Sequence, residues 1–337
     1  MVNDNINKFT MEEIANKLNI SRTTVWRVVN QKKGVSPTTE KKVKGMLEAY
    51  SYSKNLIASS LRKKTTKTIG VIFADIENPF YAAALNGIEE VCLQNKYNLM
   101  FSLNHENYQL ERQAIEFLCE KRIDGLILVP VEGSEHNLDL IEKLGLQTVF
   151  LARYIKKYGG NRVTLDDFHA GYIATSFLLD KGHKIIAHLA GPLGTSSTYD
   201  RLEGYKKALE DRSVEFDLSL VIYGNSMKIH GRINTFNLFK DRKDITAIFS
   251  YSDFVAYGVL EALGSLGLKI PENVAVIGCD DNELSSSMGL TTISSPKEDM
   301  GKLAAKILIK KLMNIDKDLE SIDVRICKPK LEIRKTV

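Results

Sequence analysis

The sequence predicts an α/β protein in two unequal parts: a small three-helix, helix-turn-helix head with a hinge helix behind it, and a core of two lobes, each a doubly wound parallel sheet. Three observations carry this. Residues 1–64 hold 13 Lys and Arg against 5 Asp and Glu, a net +8, and so residues 65–337 hold −4 of the chain total of +4. The apolar pattern changes near Thr68, from short helix-spaced stripes to alternating strand-like runs and amphipathic helices. Too many strand–helix units follow for a single compact sheet in a chain of 337 residues.

Thr10 followed by Glu13 is a capping box, which starts the first helix at Met11 with Ile14, Ala15 and Leu18 on its apolar side. Asn19 fits the turn. Ser21 caps a second helix whose Val25, Val28 and Val29 face inward, leaving Arg22, Thr23, Trp26 and Arg27 largely outward. A helix start offers unpaired N–H groups to phosphate, and side chains of its first turn can reach base edges. Arg22 and Thr23 are therefore the candidates for base contact, with Thr24 and Arg27 on phosphate or base. Trp26, the single tryptophan, either touches the DNA backbone and thymine methyls or packs against the third helix. Ser36-Pro37 opens that third helix, with proline at its first position. Val43, Met46, Leu47 and Tyr50 are its packing side.

Residues 51–64 read as a hinge. Asn55 can cap a short helix through Leu56, Ile57, Ala58 and Leu61, too short to stand alone. Pressed on DNA beside a twofold mate, Leu61 would wedge into a minor-groove step. A plain linker with an apolar patch is the other reading.

In the core, apolar runs at 69–74, 98–103, 125–131 and 147–151 are expected as buried parallel strands, with helices at 79–96, 108–121 and 137–144 between them. A second series has strands near 162–166, 184–190, 218–223, 246–250 and 273–278 and helices near 168–181, 199–211, 230–240 and 253–266. The break between lobes is placed near Tyr158-Gly159-Gly160. Ligands of such sheets sit at the carboxyl ends of strands, here facing each other across a cleft. That rule selects Phe80, Tyr81, Asp166, Ser197, Arg201, Ser252 and Asp280, aromatics for stacking and Arg or Asp for hydroxyls or charge. Asp75, Asp253 and Asp281 are read as helix caps or salt bridges.

Several chemistries are excluded. There is no phosphate-binding GxxxxGK[ST], no GxGxxG after a strand and no HExxH. His183 and His188 do not share a face and are read as structural, and Gly191-Pro192-Leu193-Gly194 as a tight turn. No catalytic or metal site and no cofactor is expected. Cys92, Cys119, Cys279 and Cys327 form no CxxC pair and are read as reduced core residues. No run of eighteen apolar residues exists, so no membrane span is expected. MVNDNINKFT lacks an apolar core and a cleavage site, so a cytoplasmic protein is expected.

The chain resembles the lactose/galactose repressor (LacI/GalR) family of bacterial transcription regulators. The residues that carry the resemblance are ISRTTVWRVVNQ and NLIASSLRKKTTKTIGVI in the head, and DIENPFY, RIDGLILVP, LDDFHAGYIAT, KGHKIIAHLAGP, RLEGYKKAL, IFSYSDFVAYGVLEAL, IPENVAVIGCDDNELSSS and LTTISSPKEDMGKLAA in the body, in family order and spacing. It implies a DNA-binding domain at 1–52, a hinge helix and linker at 53–67, and a periplasmic-binding-protein-like effector and dimerisation core at 68–337. Lobe one would be about 68–160 plus 294–318, and lobe two about 161–293 plus 319–337, with helix 298–313 crossing back to lobe one. The residues placed at double-stranded operator DNA are Thr10, Ser21, Arg22, Thr23, Thr24, Trp26, Arg27, Asn30, Ser36, Asn55 and Leu61. The implied protein is a homodimeric repressor on a palindromic operator, answering allosterically to a small-molecule effector, a sugar or sugar derivative. LEIRKTV leaves no heptad extension, so a dimer and not a tetramer is expected. Alternatives are a purine or phosphoprotein corepressor, or a sugar-binding protein with a non-functional head. The chain departs from the family at Trp26, where serine is usual, and at Ser53-Lys54. In the cleft it departs at Ala152, where sugar-binding members often carry Asp, at Ser252 for a common Asn, and at Ser226, near where an aromatic often closes the pocket.

Overall fold

The computed structural model describes residues 10–50, 65–156, 158–313 and 321–337. Two compact units divide it, Met1–Thr66 and Lys67–Val337. In the first, the capping box forms as the spacing dictates: Thr10 Oγ1 accepts from the Glu13 N–H at 3.2 Å, and Glu13 returns to the Thr10 N–H at 2.7 Å. That starts α1, Met11–Leu18, which ends on Asn19 in the left-handed region (φ 51°). The helices α2, Arg22–Val29, and α3, Pro37–Ala49, follow. Ile14, Ala15, Val25, Val28 and Val43 close one apolar cluster among the three. Lys17 reaches across to donate to the Tyr50 hydroxyl at 2.7 Å, tying α1 to the end of α3.

The larger unit holds two six-stranded sheets. The first contains β1 Thr68–Phe73, β2 Asn98–Leu103, β3 Gly125–Leu128, β4 Thr148–Leu151, β5 Asn161–Leu165 and β11 Val324–Cys327, in the order β11-β5-β4-β3-β1-β2. Every pairing in it is parallel. The second contains β6 Ile186–Leu189, β7 Val221–Ile222, β8 Ala247–Ser250, β9 Ala275–Asp280, β10 Thr291–Ser294 and β12 Lys330–Glu332, in the order β12-β10-β9-β8-β6-β7, with only β12 antiparallel. Strand alternation sorts the first core into two faces. Ile69, Val71 and Phe73 meet α4 (Pro79–Gln94) and α12 (Lys297–Leu312) on one face. Ile72, Leu126 and Leu128 meet α5 (Tyr108–Glu120) and α6 (Leu138–Lys143) on the other. The second sheet is covered by α7 (Asp167–Asp180) and α8 (Ser196–Asp211) on one side, and by α9 (Lys228–Asp241) and α10 (Asp253–Ser265) on the other. The short α11, Glu283–Met288, precedes β10.

Helix pairs here approach closely because glycines face each other. A methyl added at Gly87 of α4 would lie 2.0 Å from the Glu298 carbonyl oxygen, and one at Gly301 of α12 would lie 2.1 Å from that of Ala84. Gly171 and Gly204 do the same for α7 against α8, and Gly231 and Gly258 for α9 against α10.

Two sequence expectations need correction. The strand expected to open the second lobe, β5, pairs with β4 (Val149 beside Asn161, Leu151 beside Val163) and so belongs to the first sheet. Gly159-Gly160 is only the turn between them, and the chain leaves the first sheet after Leu165. Residues 324–327 were likewise expected in lobe two, but β11 pairs in parallel with β5. Parallel strands buried on both faces read alike in either sheet, so pattern alone does not assign them. The last long helix packs on the first sheet as expected.

Candidate functional site

In the head, the Ser21 hydroxyl accepts from the Thr24 N–H at 3.1 Å and shares a proton with the Thr24 hydroxyl at 2.9 Å, which fixes the start of α2. Valines 25 and 28 anchor its inner side. Ser21, Arg22, Thr23, Trp26 and Arg27 stand exposed on the other. Trp26 is 39% exposed, so it is not consumed by packing on α3. Arg22 lies 3.4 Å from Glu12, with both side chains more than 60% exposed; solvent screens such a pair and it gives way readily to a phosphate or base. Three other expected DNA residues have structural duties on view. Thr10 and Ser36 cap helices, and the Asn30 side chain donates to the Trp26 carbonyl at 2.8 Å to close α2. Asn55 and Leu61, with Leu56 and Ser53-Lys54, lie outside the described residues.

In the core, a cleft gathers side chains from the carboxyl ends of strands in both sheets. Asn78, Phe80, Tyr81, Ala152, Arg153, Ser197, Arg201, Ser226, Tyr251, Ser252 and Asp280 line it. Asp75 accepts from the Asn78 N–H at 2.8 Å, and Asn78 in turn caps Phe80 at 3.0 Å, which sets the start of α4. Phe80 and Tyr81 meet edge to face, centroids 5.4 Å apart. From the second sheet, Arg201 donates through Nε to Asp167 at 2.8 Å and through a second nitrogen to the Tyr251 carbonyl. Its guanidinium also lies over the Tyr251 ring, 4.6 Å from the centroid. Burial pushes the Asp167 carboxyl up to about 6, against the pull of Arg201.

Asp280 is 4% exposed and sits at φ 128°, a backbone region that side chains rarely adopt. Its carboxylate makes no hydrogen bond to any described residue, while its carbonyl accepts from Ser295 and Lys297. Desolvation pushes its pKa up to about 8 in spite of Arg201 nearby. An acid so desolvated, left without a described hydrogen-bond partner at the wall of a cleft, marks a candidate binding position.

Six of the seven residues selected for the effector from sequence thus meet in one cleft. Asp166 does not: its carboxylate accepts from the His169 N–H at 3.0 Å and caps α7, and its neighbour Asp167 turns inward to Arg201 instead. At the end of a strand that enters a helix, the residue that caps and the residue that points in differ by one position, which periodicity does not resolve. Asp253 is a structural hub, accepting from the Asn282 N–H and from the Ser285 and Thr292 hydroxyls, and Asp281 pairs with Arg334 at 2.6 Å.

Sequence reasoning missed Asn78, Arg153 and Tyr251 as lining residues, and Glu106, which reaches Arg153. Arg153 is 3% exposed and donates with two nitrogens to Glu106, both at 2.8 Å. It also approaches Ser226 and Tyr251 at 3.4 Å, and Ser197 meets the Tyr251 hydroxyl at 2.8 Å. Glu106 and Arg153 follow strands of the first sheet, while the other three belong to the second. The cleft is therefore bridged by polar contacts, and only about 30 Å³ stays open within it, space for a water or two. Beside it a larger cavity, about 240 Å³, is lined by Val131, Glu135, Tyr154, Lys156, Thr195 and Ser196 among others.

Comparison with known proteins agrees with the fold. Residues 10–55 match the model of bacterial regulatory proteins of the lacI family, and residues 175–337 match a periplasmic binding protein-like domain. An HTH-type transcriptional repressor PurR from Haemophilus influenzae (strain PittEE) is 31% identical over 334 residues, covering 97% of this chain and 98% of that protein. Among solved structures, a complex of the transcriptional regulator CelR with cellobiose superposes with a TM-score of 0.74 at 25% identity, over 98% of this chain and all of the other. The lac repressor dimer bound to operator and the anti-inducer ONPF gives 0.84 at 24% identity, over 97% and 98%, a likeness of fold.

Proposed function

We propose that this chain, which belongs to the LacI family of bacterial regulatory proteins and is a DNA-binding repressor with a periplasmic-binding-protein-like effector domain, acts in the cytoplasm as a homodimer whose two heads read the half-sites of a near-palindromic operator. The exposed face of α2 supplies the readout: Arg22 and Thr23 at base edges, Thr24, Arg27 and the first N–H groups of the helix on phosphate. The +8 charge of residues 1–64 supplies the salt-dependent part of the affinity. A second copy is favoured by apolar side chains left exposed in the larger unit, Phe101 and Phe117 around the edge strand β2 and Ile229, Ile233 and Leu284 on α9 and α11.

The effector is a small polyhydroxylated molecule, a sugar or sugar derivative, held in the interlobe cleft. The observation that carries this is the Asp280 carboxylate, buried beside Arg201 and the Phe80 ring and bonded to no described residue. Acid, guanidinium and aromatic face together are the set that recognises a carbohydrate. Binding there favours one closure of the lobes over another, and the heads respond to that two-state equilibrium. A purine or phosphoprotein corepressor is the competing reading. Similar solved proteins hold sugars: CelR holds cellobiose, and a LacI family transcriptional regulator from Enterococcus faecium holds ribose.

The test is fluorescence anisotropy with full-length protein on DNA from upstream of its own gene, across a salt series, with and without sugars, purines and a phosphocarrier protein. Binding that is sequence-specific, steeply salt-dependent and altered by a sugar is the expected result. Absence of specific binding would remove the regulator reading; a response to purine or phosphoprotein alone would replace the sugar.

A further inference from the structure

We infer that the effector carries an acid group, a carboxylate or a phosphate, which takes the place of Glu106 on Arg153, so that Glu106 is a built-in stand-in for the ligand's anion. The inference rests on the cleft being the effector site, as proposed above, and deepens it to a chemical class: a sugar acid or sugar phosphate.

The argument starts from space. With about 30 Å³ open, no sugar ring enters while the cleft keeps its present contents. Something must leave, and the two partners of the central ion pair are not equally able to. The Arg153 side chain is 3% exposed, whereas that of Glu106 is 20% exposed and stands on a two-residue turn at the rim. His105 and Glu106 both have positive φ there, 50° and 55°, and the Asn104 side chain accepts from the Glu106 N–H at 3.3 Å. Glu106 thus has a way out to water, and Arg153 does not.

Charge then decides what may come in. A guanidinium buried to this degree is strongly destabilised when its partner is removed and nothing replaces it. Ala152 brings no carboxylate of its own to the position beside Arg153. Whatever displaces Glu106 must therefore bring a negative charge. Every described contact at the Glu106 oxygens is a donor: two guanidinium nitrogens at 2.8 Å and the Ser226 hydroxyl at 3.3 Å. The Tyr251 hydroxyl approaches the same guanidinium. Such a fork, ringed by hydroxyls, is an oxyanion seat joined from both lobes. The far side of the cleft keeps Asp280 and Arg201 for hydroxyls. A ligand with an acid at one end and hydroxyls at the other satisfies both, and it rebuilds the bridge to Ser226 that Glu106 makes without it.

The experiment compares full-length wild type with Glu106→Ala and Glu106→Gln by thermal unfolding and calorimetry. Acetate and inorganic phosphate serve as bare anions, chloride at equal ionic strength as the control, and glucuronate, glucose 6-phosphate and glucose as a matched series. Replacing Glu106 lowers the melting temperature, and acetate or phosphate restores it where chloride does not; which of the two restores more tells carboxylate from phosphate. Where glucuronate or glucose 6-phosphate binds, the loss of the internal competitor tightens it by about tenfold or more, since the vacant seat becomes the dominant state. The inference is overturned if both variants respond to acetate and phosphate no more than to chloride, whichever sugars bind. It is equally overturned if glucose stabilises the wild type and loses affinity when Glu106 is replaced, which would make Glu106 an acceptor for neutral hydroxyls. Should Glu106→Ala fail to fold, Glu106→Gln, of the same shape, carries the comparison. Operator binding by the same wild-type preparation separates the failures: no operator binding sinks the regulator reading, while operator binding without an anion response sinks this inference alone.

Discussion

Replacing Asp280 by Asn should make the core more stable at neutral pH and flatten its pH dependence. The group lies 4% exposed, and burial raises it from 3.8 to about 8. A carboxyl raised in the folded state is protonated there while the unfolded chain has already lost the proton. Its contribution is complete below the unfolded value near 3.8 and is lost progressively as pH climbs toward 8. Within that window each pH unit removes at most about 1.4 kcal/mol, so pH 5 to 7 removes no more than about 2–3 kcal/mol. Structural relaxation and water in the cleft lower that to about 1–2 kcal/mol. The assay is denaturant unfolding of wild type and Asp280→Asn at pH 5, 6 and 7 without ligand. The variant should gain on the wild type steadily across the series. Parallel curves would refute the reasoning, because they would mean that Asp280 is ionised and satisfied in the free protein. A saturating effector should also narrow the difference, since hydroxyls donated to Asp280 favour its charged form.

Gly301→Ala should destabilise the core by about 2–3 kcal/mol in urea, because its methyl would lie 2.1 Å from the Ala84 carbonyl oxygen; Gly264→Ala, in α10 with nothing within 4 Å, should instead be neutral or stabilising by about 0.5–1 kcal/mol. Arg22→Ala should relax preference at a single operator base pair by about 1–3 kcal/mol in competition binding, and an unchanged preference would take Arg22 out of the reading role. His188, stacked between Tyr205 and Phe249 with its Nε2 unbonded, has its pKa lowered to about 4 by burial. The stability this lends is present above pH 6.5 and is lost as pH falls toward 4, so His188→Phe should reduce acid sensitivity in thermal scans, with unchanged sensitivity as the contrary result.

How far the sequence shows this molecule depends on how local each signal is. The capping box at Thr10 and Glu13, the Ser21 cap and the Ser36-Pro37 start are bonds between residues three apart, so spacing alone gives them. Helix spans in the core are equally legible, because an amphipathic stripe ends where the chain turns. Assignment of strands to sheets is not. β5 and β11 pair with each other across about 160 residues, and nothing in NRVTL or VRIC says which sheet they join. The cleft was legible in so far as the carboxyl ends of parallel strands are bound to face a ligand. It failed by one residue at Asp166, where capping and pointing inward compete within a single turn of chain.

Glu106 and Arg153 were the least legible, and the reason bears on how such clefts are tuned. They are 47 residues apart, each on a loop after a different strand, and their bond depends on loop geometry (φ 55° at Glu106, and 63° at Ala152 beside Arg153) that no propensity scale assigns to these residues. Strand ends fix where a side chain can stand, but loops fix which way it faces. A family can therefore keep its sheets, and with them Phe80, Arg201 and Asp280, while the counter-charge for Arg153 comes from one loop or another. A carboxylate beside Arg153 at position 152 would be part of a fixed wall. One supplied by Glu106 from a rim turn can be exchanged. That difference in tether, and not a difference in charge, is what would turn a seat for neutral hydroxyls into a seat for an acid.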